Sequence, residues 1–224
     1  NLGCAHAEWQ GAKLNFVDTP GFQDFVGDAV AGLAAADGAL VCVGSTTGVE
    51  VGTETMFQEA ITRRDPVLFA VTMMDKEHAD FERVFEDVKA HLTSKVVPVE
   101  IPVGDGPDFH GIINLFSGHC HFYKKGTKTG EYETVPIPSE YDKLFRQYTD
   151  QLVEAVASTD DELIERYLGG EEIPREQVIK AVKNAVIDGA VVPLFCGSGE
   201  LTYGMRTLLT EMVELFPSPL EADA

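Results

Sequence analysis

The chain has 224 residues, 44% of them hydrophobic, and a formal net charge of −20. That length and apolar content suit one large domain or two small ones with a real core. With 37 acidic side chains against 17 basic ones, the segment is not built to grip nucleic acid phosphates by itself. A protein whose other parts are basic stays compatible with that balance. The cysteines Cys4, Cys42, Cys120 and Cys196 are scattered, with no Cys-x-x-Cys pair. Cys42 and Cys196 fall in apolar runs that read as buried strands, so reduced thiols and a cytoplasmic location are expected. No signal peptide or membrane-length apolar run is read. The chain opens at Asn1, in the middle of an element, and reads as a fragment or a proteolysed piece.

The first half alternates strand and helix. Residues 5–9 and 14–17 read as a hairpin joined through Gln10-Gly11-Ala12. Residues 22–36 read as a helix whose apolar face is Phe25, Val26, Ala29, Val30 and Leu33. Residues 39–43 and 67–71 are apolar without alternation, as in parallel strands covered on both faces. Helices are expected at 50–64 and 80–92. Together these predict a right-handed, mostly parallel α/β sheet.

The next apolar strand that continues this pattern is 191–196, so residues 96–190 read as an inserted α+β subdomain. Residues 1–95 and 191–224 then form the main domain. Within the insert, 96–102 and 111–116 read as strands. Residues 120–123 and 132–135 flank a glycine- and lysine-containing turn and read as a hairpin. Helices are expected at 141–156, at 176–188, and after the Thr159-x-x-Glu162 capping pattern up to Gly169-Gly170. A tail helix spans 205–215.

Two strand ends carry the chemistry. The first is Asp18-Thr19-Pro20-Gly21. An acid at the end of a strand can reach a metal-bound water, and a glycine N–H can approach a phosphate closely. A plain strand–turn–helix junction gives the same pattern. The second is Thr72-Met73-Met74-Asp75-Lys76, where Asp75 follows the end of a strand and fits a simple turn cap. The intervening helix–strand–helix–strand places both aspartates at the carboxyl ends of nearby parallel strands, where α/β sheets bind ligands.

An ordered series of motifs makes the chain resemble the translational GTPases, and elongation factor G or a divergent paralogue of it in particular. The series includes Asp18-Thr19-Pro20-Gly21, Asp37-Gly38-Ala39-Leu40-Val41, Gly48-Val49-Glu50 and Thr53-Glu54-Thr55. It continues through Asp80-Phe81, Leu115-Phe116-Ser117-Gly118, the run from Arg166 to Glu172, Cys196-Gly197-Ser198 and Phe216-Pro217-Ser218-Pro219. The resemblance implies a P-loop GTPase fold with an α+β insert, GTP/GDP and Mg2+ as cofactors, and the ribosome as partner. It implies that Asp18 holds magnesium through a water and that the Gly21 N–H senses the γ-phosphate. It implies that Asp75 reads guanine, with Thr72 and Met73 beside it and Lys76 stacking or adding charge. Ser198 and Gly199 amides would face the guanine O6, with Ser198 bracing Asp75. The insert would meet the ribosomal stalk protein.

Three departures accompany the likeness. No Gly-x-x-x-x-Gly-Lys-[Ser/Thr] loop occurs in the sequence, so this chain alone is expected to hydrolyse no GTP. Phe22 stands where the family places a water-positioning histidine, and phenylalanine cannot orient or polarise water. Thr72 and Met73 replace the asparagine and lysine of the guanine motif, which predicts weaker guanine binding or other contacts. His119-Cys120-His121 lacks further ligands at metal spacing. Lys124, Lys125 and Lys128 read as a solvated turn, and Glu162, Glu165, Glu171, Glu172 and Glu176 as a solvated face or a partner surface.

Overall fold

The computed structural model describes residues 2–157, 165–166, 169 and 174–221; for Gln23 and Ala157 it describes the backbone alone. The helix and stop expected between 159 and 170 lie outside the described residues, apart from 165, 166 and 169.

The chain opens as a hairpin of β1 (Gly3–Trp9) and β2 (Ala12–Asp18), in register from Gly3 opposite Asp18 to Trp9 opposite Ala12. Gln10 and Gly11 both have positive φ, 47° and 79°, the two-residue turn that matches strand twist and that glycine accepts without strain. The hairpin docks through its tip. Trp9 Nε1 donates to Thr210 Oγ1 at 3.0 Å, and the Arg206 guanidinium lies 5.7 Å over the Trp9 ring.

The main sheet is parallel throughout: β3 (Ala39–Gly44), β4 (Val67–Thr72), β10 (Val192–Cys196) and β5 (Val96–Pro98), side by side in that order. The α/β fold class follows as expected. Strand β2 does not join it, because its ladder is taken up by β1 and no described strand pairs its other edge. Asp18 and Asp75 therefore do not end neighbouring parallel strands. β10 is buried throughout and β4 up to Val71, whereas β3 is only partly covered. Cys42 is exposed rather than buried: it points into a groove, not beneath a helix.

Two cores lie on the two faces of this sheet. Phe69 and Val71 face α2 (Val51–Arg63) and α3 (Phe81–His91), where Phe57, Phe81 and Phe85 pack. Leu68, Ala70 and Phe195 face the helices that close the other side. Local signals set the helix ends. Glu50 and Thr53 make a reciprocal capping box at α2, and Asp80 accepts the Arg83 N–H at the start of α3. The helix expected at 22–36 shortens to a 3-10 turn, Gln23–Phe25, and α1 (Val26–Leu33). Only its C-terminal half is buried, through Ala29, Gly32 and Leu33; Phe25 and Val26 stay exposed.

The stretch read as one strand at 96–102 serves two sheets. After β5, the Val99 N–H donates to Leu194 O and its carbonyl accepts from Leu115 N, both at 3.0 Å. The chain then enters an antiparallel meander, β6 (Glu100–Val103), β7 (Gly111–Asn114), β8 (His119–Tyr123) and β9 (Tyr132–Val135). Helices α4 (Asp142–Ala157), α5 (Arg175–Ile187) and α6 (Met205–Leu215) complete the elements among the described residues. Tyr148 of α4 is buried against α3, and its hydroxyl donates to the Glu82 carboxylate at 2.6 Å. Tyr148→Phe keeps the packing and loses this bond. It is expected to lower unfolding stability by ~1–2 kcal/mol, read from urea midpoints at constant slope.

Candidate nucleotide site

Two loops meet beyond the carboxyl ends of β4 and β10. At Thr72 the strand ends, and its hydroxyl donates to Val43 O at 3.4 Å. Met73 turns into the left-handed region with φ 60°, and its carbonyl accepts from the buried Ser45 hydroxyl at 2.7 Å. Met74 is wholly buried and anchors the turn. Its N–H donates to Gly197 O at 3.2 Å, while the Gly197 N–H donates to Val71 O at 2.9 Å, so the two loops are tied across the sheet.

Asp75 sits where they touch. Burial pushes its carboxyl up, but hydrogen bonds from Ser198, from its own amide and from Lys76 outweigh that and hold it below the usual range. Its Oδ1 is buried and, among the described residues, has no hydrogen-bond partner. An ionised oxygen in that condition is costly unless a ligand donates to it. Ser198 is itself buried; its Oγ accepts from the Leu201 N–H at 3.1 Å, and its own N–H donates to Tyr203 O at 2.9 Å. Lys76 lies 3.3 Å from Asp75 and also pairs with Glu200, which lifts the ammonium above its usual range.

A groove of about 310 Å³ opens beside these loops, walled by Cys42, Thr72, Met73, Gly197, Gly199 and Glu200 among others. Thr72, Met73, Asp75, Lys76, Ser198 and Gly199 are thus brought together as one half-site. Met73 is exposed and its methyl lies over Gly44, as a cover for a flat group would.

Asp18, Gly21 and Phe22 stand apart from this cluster. Asp18 closes the β2 ladder opposite Gly3 and reaches the groove only by its charge. Although Cys42 is partly open to solvent, desolvation pushes its thiol up first and the Asp18 charge second. Gly21 has open space where a side chain would be, and its carbonyl lies against Gly52 at the start of α2. Phe22 is 78% exposed. No three His, Cys, Asp or Glu side chains converge on a metal-sized position among the described residues.

Sequence reading missed Ser45, Glu200 and the groove-facing Cys42. A polar residue at the end of an apolar strand is a usable sign for Ser45; nothing local marks Glu200.

The family model for the elongation factor Tu GTP binding domain matches residues 1–218. A crystal structure of a Thermus thermophilus protein superposes with a TM-score of 0.87 at 34% sequence identity, over 98% of this chain and 32% of that one. The chain therefore spans about a third of that protein's length. A family match over almost every residue, together with that superposition, places the chain in the elongation factor Tu GTP binding domain family of translational GTPases.

Proposed function

We propose that this chain is the guanine-recognising part of an elongation-factor-G-like translational GTPase that acts on the ribosome, in translocation or a related step. The observation that carries the reading is the buried, unpartnered Oδ1 of Asp75, held ionised by Ser198 and Lys76 where the loops after β4 and β10 meet. Guanine presents two adjacent donors, N1–H and the 2-amino group, that would meet this carboxylate. The Gly199 amide would face O6; the Ser198 N–H expected beside it is already given to Tyr203 O, so Ser198 would act through Asp75. Magnesium, arriving with the nucleotide phosphates, would neutralise their charge, and Asp18 would hold it through a water. Gly21 would approach the γ-phosphate. We assign residues 1–95 and 191–224 to the GTP-binding domain and 96–190 to an inserted subdomain whose first strand, β5, joins the edge of the main sheet, and which would meet the ribosomal stalk protein. Cytoplasmic residence follows from that role; no helix among the described residues is long and apolar enough to cross a membrane.

Calorimetric titration with GDP, GTP, guanosine, ADP and ATP in magnesium tests this. Guanine compounds should bind and adenine ones should not. Because the sequence has no phosphate-cradling Gly-x-x-x-x-Gly-Lys-[Ser/Thr] loop, guanosine and GDP should differ by no more than a few-fold. Equal binding of ADP and GDP would end the proposal.

A second reading is a ribosome-associated binding module with weak or no GTP hydrolysis, and it is favoured by Phe22, which projects into solvent and can neither orient nor polarise a water. Phosphate release by this chain should stay at the buffer blank. Phe22→His should leave GDP affinity within about two-fold, since the side chain lies apart from the base-reading loops.

A further inference from the structure

Strand β10 outruns its neighbour on one side. β5 pairs with it only as far as Pro98 opposite Leu194. Amides alternate in direction along a strand, and the Gly197 N–H points to β4, where it donates to Val71 O. The Cys196 N–H therefore points the other way, to the side where β5 has already ended. A buried amide left there would be costly. The chain fills the place with a side chain: Glu100, at the start of β6, accepts the Cys196 N–H on its Oε2 at 3.0 Å. Glu100 is completely buried.

We propose that Glu100 is a positioning residue for guanine recognition: from the antiparallel sheet it fixes the Cys196 amide and thereby sets the 197–199 turn against Asp75. The inference rests on the guanine reading above and deepens it. The same sheet also holds the far end of that loop. The Gly204 N–H donates to the Tyr123 hydroxyl at 2.9 Å, and the Tyr123 and Tyr203 rings stack at 4.4 Å with 14° between their planes. Gly130 sits so close to Thr202 that a Cβ there would lie 2.2 Å from the Thr202 carbonyl oxygen. Segment 196–204 is thus clamped at both ends by one sheet, and the Ser198 N–H bond to Tyr203 O closes it between.

The clamp has an electrical side. Glu100 Oε1 and Glu211 Oε2 are both buried without a hydrogen-bond partner among the described residues. Glu211, from α6, accepts from Asn114 Nδ2 at 3.4 Å and lies 3.6 Å from Arg175 of α5. Burial pushes Glu100 up to about 7, against the pull of the Cys196 amide, Thr207 and Asn114. Glu211 is pushed up by burial, then by Glu214 and Glu100, with Arg175 and Asn114 opposing. Tyr123 and Cys196 face the same space and keep their protons, the Cys196 thiol being raised by burial and by Glu100. An ionised Glu100 accepts the Cys196 N–H more strongly than a protonated one. Guanine binding should therefore tighten as pH rises through neutrality.

Amide NMR of the nucleotide-free chain between pH 5.5 and 8.5 tests the brace. The Cys196, Ser198 and Gly199 resonances should titrate together in wild type and stay still in Glu100→Gln, whose side-chain oxygen still accepts but does not ionise. GDP titrations over the same range test the consequence. Wild type should gain about three- to ten-fold in affinity with pH, Glu100→Gln should be flat, and Glu100→Leu should lose about ten-fold in its preference for GDP over ADP. A merely structural residue would lower stability without moving that preference. Unchanged amide titration in Glu100→Gln, or an unchanged preference in a folded Glu100→Leu, overturns the proposal. Should wild type bind no GDP at any pH, the guanine reading fails and this proposal fails with it; amide titration would then show whether Glu100 holds the turn for some other purpose.

Discussion

Asp75→Ala is expected to weaken GDP binding by about 100-fold and to erase the preference for guanine over adenine. The carboxylate would take two hydrogen bonds from the base, each charge-assisted and worth ~1.5–3 kcal/mol. Losing even the lower value twice is ~3 kcal/mol, about two decades in affinity. Solvent does not make good the loss, because Oδ1 is buried and without a partner until a ligand arrives. Asp75→Asn separates charge from shape. Its amide presents an NH2 donor group where guanine also presents donors, so GDP should be lost as in the alanine variant. A base with a carbonyl at position 2, as in xanthine, should gain instead. Titrations with GDP, XDP and ADP on the three proteins check this, and an unchanged GDP-to-ADP ratio in Asp75→Ala would refute the assignment. The carboxyl is held below its usual range, so this contact should persist until well below neutral pH.

The parts of this site that sequence revealed are those set by local pattern. α6 falls on residues 205–215 as the apolar spacing requires, and the Thr72–Lys76 turn follows a strand whose unbroken apolar run needs cover on both faces. Partner choice is not local. The apolar run before Asp18 looks the same whether its strand joins a parallel sheet or pairs only with β1, and the structure takes the second course. Cys42 sits in a run as apolar as that of β4, yet it is exposed and lines a groove. Val99 carries no mark of the switch between sheets. Glu100 and Glu211 are hardest of all. A glutamate in an apolar stretch reads as a solvent-facing position, and only the ending of β5 explains why one of them is needed inside.

Those two glutamates should make the fold less stable as pH rises. Their carboxyls stand at about 7 and about 8 in the folded chain against an ordinary 4.5. Raised acids give stability that is complete below the unfolded value and lost as pH climbs through the folded ones. The window is therefore about pH 5 to 9. For Glu100 alone, a rise from 4.5 to about 7 at ~1.4 kcal/mol per unit amounts to ~3 kcal/mol. The pair should lose more than this but less than the two separate shifts added together, because part of the Glu211 shift is the charge of Glu100 itself. Urea unfolding at pH 5.5 and pH 9 should show the difference, with Glu211→Gln and Glu100→Gln each flatter than wild type and more stable than it at pH 9. His121 pulls the other way: burial holds its imidazole below the usual range, so it penalises folding at the acid end. Comparing each variant with wild type at the same pH removes that contribution, since His121 is present in both. A wild-type chain as stable at pH 9 as at pH 5.5, with neither glutamine variant altering the slope, would mean that both carboxyls reach solvent or a counter-charge and that the joint between the sheets holds no proton.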